Sequence, residues 1–500
     1  MSALQNIVQH ARETTLLQTI NAAIEWDERT YLPAAAGPYR AEQLTYLAGL
    51  IHQRQTDPRL GDWLEEAERE IGDDDPHSDR STTIRMLGRD YEKRTKLPRQ
   101  LVEALAKNSV EGQQAWVEAR KEKSFSTLRP FLDRMVELKR EQARATGFAE
   151  CMYDALLDDY EPEEKTSCVR AVFASLRDEL VPLLQSVLDS GYQVPVDMLH
   201  RQFPIAAQKE MGRLAAARIG FDFQRGRLDV TDHPFCTEFG PHDCRITTRY
   251  DERFFPSALF GTLHEAGHGI YEQGLRGEHY GLPPGRFVSM SIHESQSRLW
   301  ENLVGRSHAF WIYFFPVAQQ LFPAALGNVD VAAFLQAINE VKPSLIRVEA
   351  DEVTYNLHVI IRFELEQELI EGTLPVADLP AAWNARYEEL LGITPPDDGD
   401  GVLQDIHWSA GYVGYFPTYA LGNLYAAQFL EQARRDLGDL EGQMQRGEFE
   451  PLRTWLATNI HQCGQCYSPA ELVLKVTGKP LTQTPLISHL KQKLSDVYKI

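Results

Sequence analysis

LFGTLHEAGHGIY, residues 259–271, and SIHESQSR, residues 291–298, are the two stretches whose reading decides what kind of chain this is. Within the first, His264 and His268 stand four residues apart and therefore project from one helix face, with Cβ atoms about 5–6 Å apart. Both imidazoles can then reach a single tetrahedral ion. Glu265 flanks that face, where it can take a proton from water at the ion without being a ligand, as HExxH provides. Phe254, Phe255, Leu259, Phe260, Leu263, Ile270 and Tyr271 surround the motif and predict a buried helix following Pro256. Buried histidines need partners, and a cation is a good one.

A catalytic zinc site usually has three protein ligands and one open position. The second stretch offers Glu294, separated from His268 by a segment with a Gly/Pro-rich turn, GLPPGR at 281–286, which suits an antiparallel return helix. Two readings of Glu294 stand on spacing alone. It is the third ligand, or it completes a capping box with Ser291 and satisfies its own helix terminus. A histidine third ligand is disfavoured because the residues after His268 do not continue as HxxGxxH.

The rest of the chain predicts a mainly α protein. Up to about residue 220, apolar residues recur at three- and four-residue spacing, broken by loops over Gly72–Pro76 and Asp158–Pro162. Leu4, Ile7, Val8 and Ala11 open the pattern at helical spacing, with no signal-peptide features. Between about 221 and 250, β-branched and aromatic residues alternate with polar ones around Gly240-Pro241, which predicts a small antiparallel ribbon. Helical periodicity then continues to the end, apart from the loops at 281–286 and 393–401. We read residues 1–500 as one domain: a helical N-terminal lobe (about 1–220), the ribbon (about 221–250) and a catalytic helical part (about 251–500).

Hydrophobic residues make up 43% and charged residues 25% of the 500 positions, enough to bury a large core. The formal charge of −21 argues against nucleic acid or an anionic membrane as partner and favours a cytoplasmic protein. No apolar run of 18 residues occurs, so no membrane span is expected. Six scattered cysteines fit reduced thiols. Only Cys463 and Cys466 have ligand spacing, with His461 just upstream. A lone CxxC is a weak metal signal, and a pair at a helix start with no metal is the preferred reading.

Pro343–Gly372 carries a proline at its start and a glycine at its end and predicts one long helix. On it Arg347, Asp351, Tyr355, His358 and Arg362 would share a face. An arginine held by an acid one turn along is a suitable fork for a substrate carboxylate, and an internal salt-bridge ladder is the competing reading. Farther on, GVLQDIHW at 401–408 and GYVGYFPTY at 411–419 are rich in Tyr and His. These could donate to an oxyanion or simply pack a helix contact, and composition favours packing.

Taken together, Trp26-Asp27, His233-Pro-Phe235, Asp243-Cys-Arg-Ile-Thr247, His264-Glu-Ala-Gly-His268, His293-Glu-Ser-Gln296, Ile346-Arg-Val-Glu-Ala-Asp351 and Gly401-x-x-Gln-Asp-x-His-Trp408 resemble the M32 metallocarboxypeptidases, the carboxypeptidase Taq type. The ordered set spans most of the chain. The resemblance implies a multi-helix, two-lobed peptidase fold with a deep central groove, similar to neurolysin and angiotensin-converting enzyme, usually as a homodimer. It implies removal of single C-terminal residues from peptides with a free carboxylate, using Zn2+ or Co2+, with His264, His268 and Glu294 as ligands and Glu265 as base. It places Arg347 at the terminal carboxylate, and Arg245, His407 and Tyr415 along the substrate site. His233 and Tyr419 join the expected substrate set, and Tyr415 or His407 steadies the oxyanion. The family tends to carry histidine where this chain has Cys463. Two rivals follow: an oligoendopeptidase with the same metal chemistry but no carboxylate clamp, and a helical binding scaffold with a structural metal.

Overall fold

The computed structural model of the protein describes residues 2–72 and 74–500; Asp73, within the loop read over Gly72–Pro76, lies outside the described residues, as does Met1. The expected mainly α fold with a small sheet is what the chain adopts. The first helix, α1 (Ala3–Thr30), begins at Ser2, whose hydroxyl accepts the Gln5 N–H while the Gln5 side chain accepts the Ser2 N–H. This reciprocal pair satisfies two donors that a helix start leaves open. Ile7 and Ala11, one turn apart, are buried against Leu60, Leu64, Leu87 and Leu282, with Leu4 and Val8 packed alongside. Leu87 belongs to α2 (Asp79–Thr95).

The chain falls into two compact units. The first combines the N-terminal stretch through Thr95, Pro195–Ile338 and Phe429–Lys479; the second combines Lys96–Val194, Asn339–Gln428 and Pro480–Ile500. Among the described residues, no helix is long and apolar enough to cross a membrane.

In the first unit the ribbon expected over 221–250 is a three-stranded sheet: β1 (Gly226–Val230), β2 (Cys236–Gly240) and β3 (Asp243–Thr248), in the order β1-β3-β2. The hairpin at Gly240-Pro241 pairs β2 and β3 antiparallel as expected, but β1 pairs with β3 in parallel. The link across 231–235 causes the difference. It runs past the end of β3, where the Thr231 N–H donates to Thr248 O and the Thr247 N–H to Phe235 O, so β1 meets the opposite edge of β3.

The sheet is a platform for α3 (Phe255–Gly274). Buried Ile246 and Cys244 face the helix, and Thr262 Oγ1 donates to Thr248 Oγ1 at 3.2 Å. Pro256 occupies the first turn, where its missing N–H costs nothing. A short segment returns to α4 (Met290–Arg298), whose N-cap is Ser289: its hydroxyl accepts the Ile292 N–H at 3.2 Å. Ser291 is thus inside the helix, and the capping-box reading of Glu294 does not describe this terminus. α4 runs directly into a π-helical turn at Leu299–Val304, a local widening that often marks functional sites.

In the second unit, the helix expected over Pro343–Gly372 begins only at Thr354. It is α5 (Thr354–Glu371), closed by Gly372 at φ +84°. Arg347 lies in a separate 3-10 turn, Arg347–Glu349. Asp351 explains the late start: its carboxylate accepts the N–H groups of Val353 and Thr354 and the Thr354 hydroxyl, a local alternative to continuing the helix upstream. The face expected to unite Arg347, Asp351 and Arg362 therefore does not exist as one helical stripe.

α3 and α4 approach closely because position 267 is glycine. A Cβ there would lie 2.6 Å from Gln296 O and 2.7 Å from Ser297 Cα, both backbone atoms. Gly267→Ala is expected to force the helices apart at a cost of about 1–3 kcal/mol, measured as a lowered midpoint of thermal unfolding, with weakened metal retention. An unchanged midpoint and metal content would contradict this contact.

Candidate metal centre

His264 and His268 project from α3 toward Glu294 on α4. His264 Nε2 is 3.7 Å and His268 Nε2 3.4 Å from Glu294 Oε2, and one ligand atom from each residue lies within 4.8 Å of the others. Tetrahedral bonds of about 2.0–2.2 Å give edges of about 3.3–3.6 Å, so these separations suit a small divalent ion. The donor set, two imidazoles and one carboxylate, fits the same chemistry. His268 Nδ1 is buried without a hydrogen-bond partner, while its Nε2 faces the centre.

A surrounding frame orients these groups. Glu301, on the π-helical turn, stands 2.8 Å from His264 Nδ1, which makes that nitrogen the donor and leaves Nε2 for an ion. Arg298 donates from Nε to Glu294 Oε1 at 2.7 Å and from Nη1 to Glu301 Oε2 at 3.3 Å, so Oε2 of Glu294 is the oxygen turned inward. His293 stacks on His268 at 4.5 Å and pairs through Nε2 with Glu272 at 2.7 Å. Arg298 and Glu301 have no assigned role in the sequence reading. The signal was their spacing, four and seven residues after Glu294 on the same helical path.

The electrostatics follow from burial and charge. Burial raises the Glu265 carboxyl to about 7, with His264 opposing and Glu294 and Glu301 adding to the rise. Glu294 is held well below the usual carboxylate range: burial opposes this, but Arg298 and the two histidines outweigh it. Burial and His293 lower His268 to about 3, so it is neutral, as a ligand must be. His264 is raised to about 9 by Glu294 and Glu301 against its burial. A cation bound at its Nε2 would displace that proton.

The remaining expected residues lie in two places. In the first unit, Arg245 is clasped by Asp243 at 2.9 and 2.8 Å and its guanidinium covers Trp26 and Phe239. His233 is exposed in the link between β1 and β2. In the second unit, Arg347, His407, Tyr415 and Tyr419 form one cluster. The Arg347 guanidinium lies 4.8 Å from the Tyr419 ring, and His407 is 5.5 Å from the Tyr415 ring, with Nε2 3.4 Å from Tyr419 Oη. Burial lowers His407 to about 4.

The acid that holds Arg347 is Asp405, not Asp351: Arg347 Nε and Nη2 donate to Asp405 Oδ1, and Nη1 donates to Tyr355 Oη. Arg362 takes the other carboxylate oxygen at 2.7 Å. His461, beside the CxxC, turns to Gln296 at 3.0 Å; Cys463 donates to Asn459 O, and Arg276 reaches Cys466 Sγ at 3.4 Å.

Comparison with known proteins is consistent along the whole chain. The family profile for carboxypeptidase Taq (M32) metallopeptidases matches residues 6–494. The chain is 46% identical over 507 aligned residues to thermostable carboxypeptidase 1 of Thermus thermophilus, covering 99% of each. It is 38% identical to carboxypeptidase 1 of Bacillus subtilis, covering 95% of each. The crystal structure of an M32 carboxypeptidase from Deinococcus radiodurans superposes with a TM-score of 0.96 at 40% identity, covering all of both chains. With the helical fold carrying a metal-competent HExxH helix, these matches establish that the chain belongs to the carboxypeptidase Taq (M32) family and is a metallocarboxypeptidase.

Proposed function

We propose that this metallocarboxypeptidase removes single C-terminal residues from peptides of broad sequence, with zinc as the resident ion and cobalt able to replace it. His264, His268 and Glu294 are the ligands and Glu265 the general base. The observation that carries this reading is the convergence of three ligand atoms within 4.8 Å beside a buried carboxyl on the same helix. When bound, the ion supplies Lewis acidity, lowering the pKa of water and polarising a carbonyl.

The protein's own groups do the rest. Glu265 accepts a proton from the attacking water and returns it to the nitrogen of the leaving amine, so one water is consumed per bond cleaved. Glu301 fixes the His264 ring and Arg298 fixes Glu294. Tyr415 or His407 donates to the oxyanion, and Arg347 receives the terminal carboxylate, with Arg245, His233 and Tyr419 along the peptide. The cluster around Arg347 supports this assignment. The engagement of its guanidinium by Asp405 and Tyr355 favours the competing role, an internal ion-pair frame. We further propose a cytoplasmic location, for which the six free cysteines and the acidic composition speak, and a homodimer, as the resemblance to the family implies.

Glu265→Gln keeps size and shape but cannot accept the proton. It is expected to retain metal in elemental analysis while kcat falls by about 10²–10⁴-fold; full activity would remove Glu265 from the role. A base must be ionised, and a raised pKa moves its loss upward in pH. The kcat/KM of the wild type should therefore fall as pH drops through a limb at or below about 7, since a nearby cation moves that limb down. This limb should vanish in Glu265→Gln.

The carboxylate clamp has its own test. Wild type is expected to cleave free-acid peptides roughly tenfold to hundredfold better than amidated ones, in line with loss of charge-assisted hydrogen bonds, and Arg347→Ala should abolish that preference. Retention of the preference by the variant would leave Arg347 as part of the ion-pair frame.

A further inference from the structure

The first unit contains a small, partly open pocket, with enclosed room of about 60 Å³, that has no part in the chemistry above. It is walled by α1, α2, the helix Gly37–Gln55 and the loop that carries Arg286, with apolar Leu60 and Leu87 on its surface. A single water needs roughly 10–15 Å³ of such room, so the pocket can take a few waters or one small oxyanion.

The acidic and basic groups on its wall, apart from His10, are two arginines, Arg94 and Arg286, against one carboxylate, Asp90. Arg94 donates to the backbone oxygen of Asp90 at 3.1 Å, and its guanidinium is 3.8 Å from Asp90 Oδ2. Arg286 donates to Gly281 O at 3.3 Å and approaches the same Asp90 Oδ2 at 3.5 Å. A charge-assisted hydrogen bond between such groups measures about 2.7–2.9 Å, so neither arginine closes on the carboxylate. The side chains of Gln18, Gln55 and Tyr91 hydrogen-bond to no other described residue. Two guanidiniums thus share one carboxylate while two amides and a phenol keep their donors unspent. Burial pushes the Arg286 guanidinium down, Asp90 and more weakly Glu238 oppose it, and the Arg94 charge adds to the fall.

We propose that this cavity is a second ligand site, for a small molecule bearing an oxyanion, carboxylate or phosphate, held between Arg94 and Arg286. The forked guanidiniums match the planar or tetrahedral oxygen array. Gln18, Gln55 and Tyr91 orient the remainder over Leu60 and Leu87. Arg286 ends the loop leading to the Ser289 cap of α4, so an occupant ties α2 to the segment that delivers Glu294.

The test is calorimetric titration of the metal-loaded, full-length protein with succinate and, separately, with inorganic phosphate at low salt. Wild type is expected to bind at least one of them saturably, and whichever binds more tightly identifies the oxyanion class. Arg94→Gln, on the outer part of α2, should weaken that binding at least tenfold while kcat/KM on a peptide stays at the wild-type value. The unchanged kcat/KM separates this site from the metal centre, which also attracts such anions. Arg286→Gln should weaken binding at least tenfold as well; should it fail to fold, Gln18→Leu serves as the second variant and should weaken binding in the same direction. Absence of binding by wild type, or a loss of less than tenfold in Arg94→Gln, overturns the proposal.

Discussion

The close approach of α3 and α4 is the constraint on which the metal centre depends. Two imidazoles a turn apart define only a line, and a third donor must come from another element at the correct depth. Gly267 permits that approach, since any side chain there would strike the α4 backbone at Gln296 and Ser297. The sheet holds α3 from the other side through Ile246, Cys244 and the Thr248–Thr262 hydrogen bond. The helix that carries both histidines is therefore positioned on opposite faces.

Within that frame the problem is one of charge. Glu265, Glu294 and Glu301 crowd a site largely removed from water, where an unpaired carboxylate costs several kcal/mol. Arg298 offsets part of this by bridging Glu294 and Glu301, and His264 offsets more by pairing with both. Glu265 has no such close partner and is left with a raised pKa. The proposed ligand and the proposed base thus differ in environment more than in residue type: Glu294 is held ionised by an arginine, and Glu265 is poised near neutrality by burial.

The parts legible in the sequence were those fixed by short-range spacing. The HExxH helix, its buried flanks and the helical periodicity of most of the chain follow directly from local pattern. The third carboxylate was ambiguous because Ser291 and Glu294 have capping-box spacing, and only the position of Ser289 at the true N-cap removes that reading. The parallel pairing of β1 was not legible, since alternation reveals a strand but not which edge it meets. The long helix over Pro343–Gly372 failed at its start because Asp351 bonds to the backbone just ahead of Thr354, and because Arg347 is drawn to Asp405, more than fifty residues away. Asp405 was missed for the same reason, since ion pairs between distant segments leave no periodic signal, whereas Arg298 and Glu301 stood at legible helical spacing from Glu294.

The central claim is that His264 Nε2, His268 Nε2 and Glu294 Oε2 grip one divalent ion. Its most direct test is X-ray diffraction from crystals of the zinc-reconstituted protein on both sides of the zinc absorption edge. The account predicts one strong anomalous peak about 2.0–2.2 Å from each of those three atoms. An edge-dependent peak elsewhere in the chain, with none between these side chains, would contradict it.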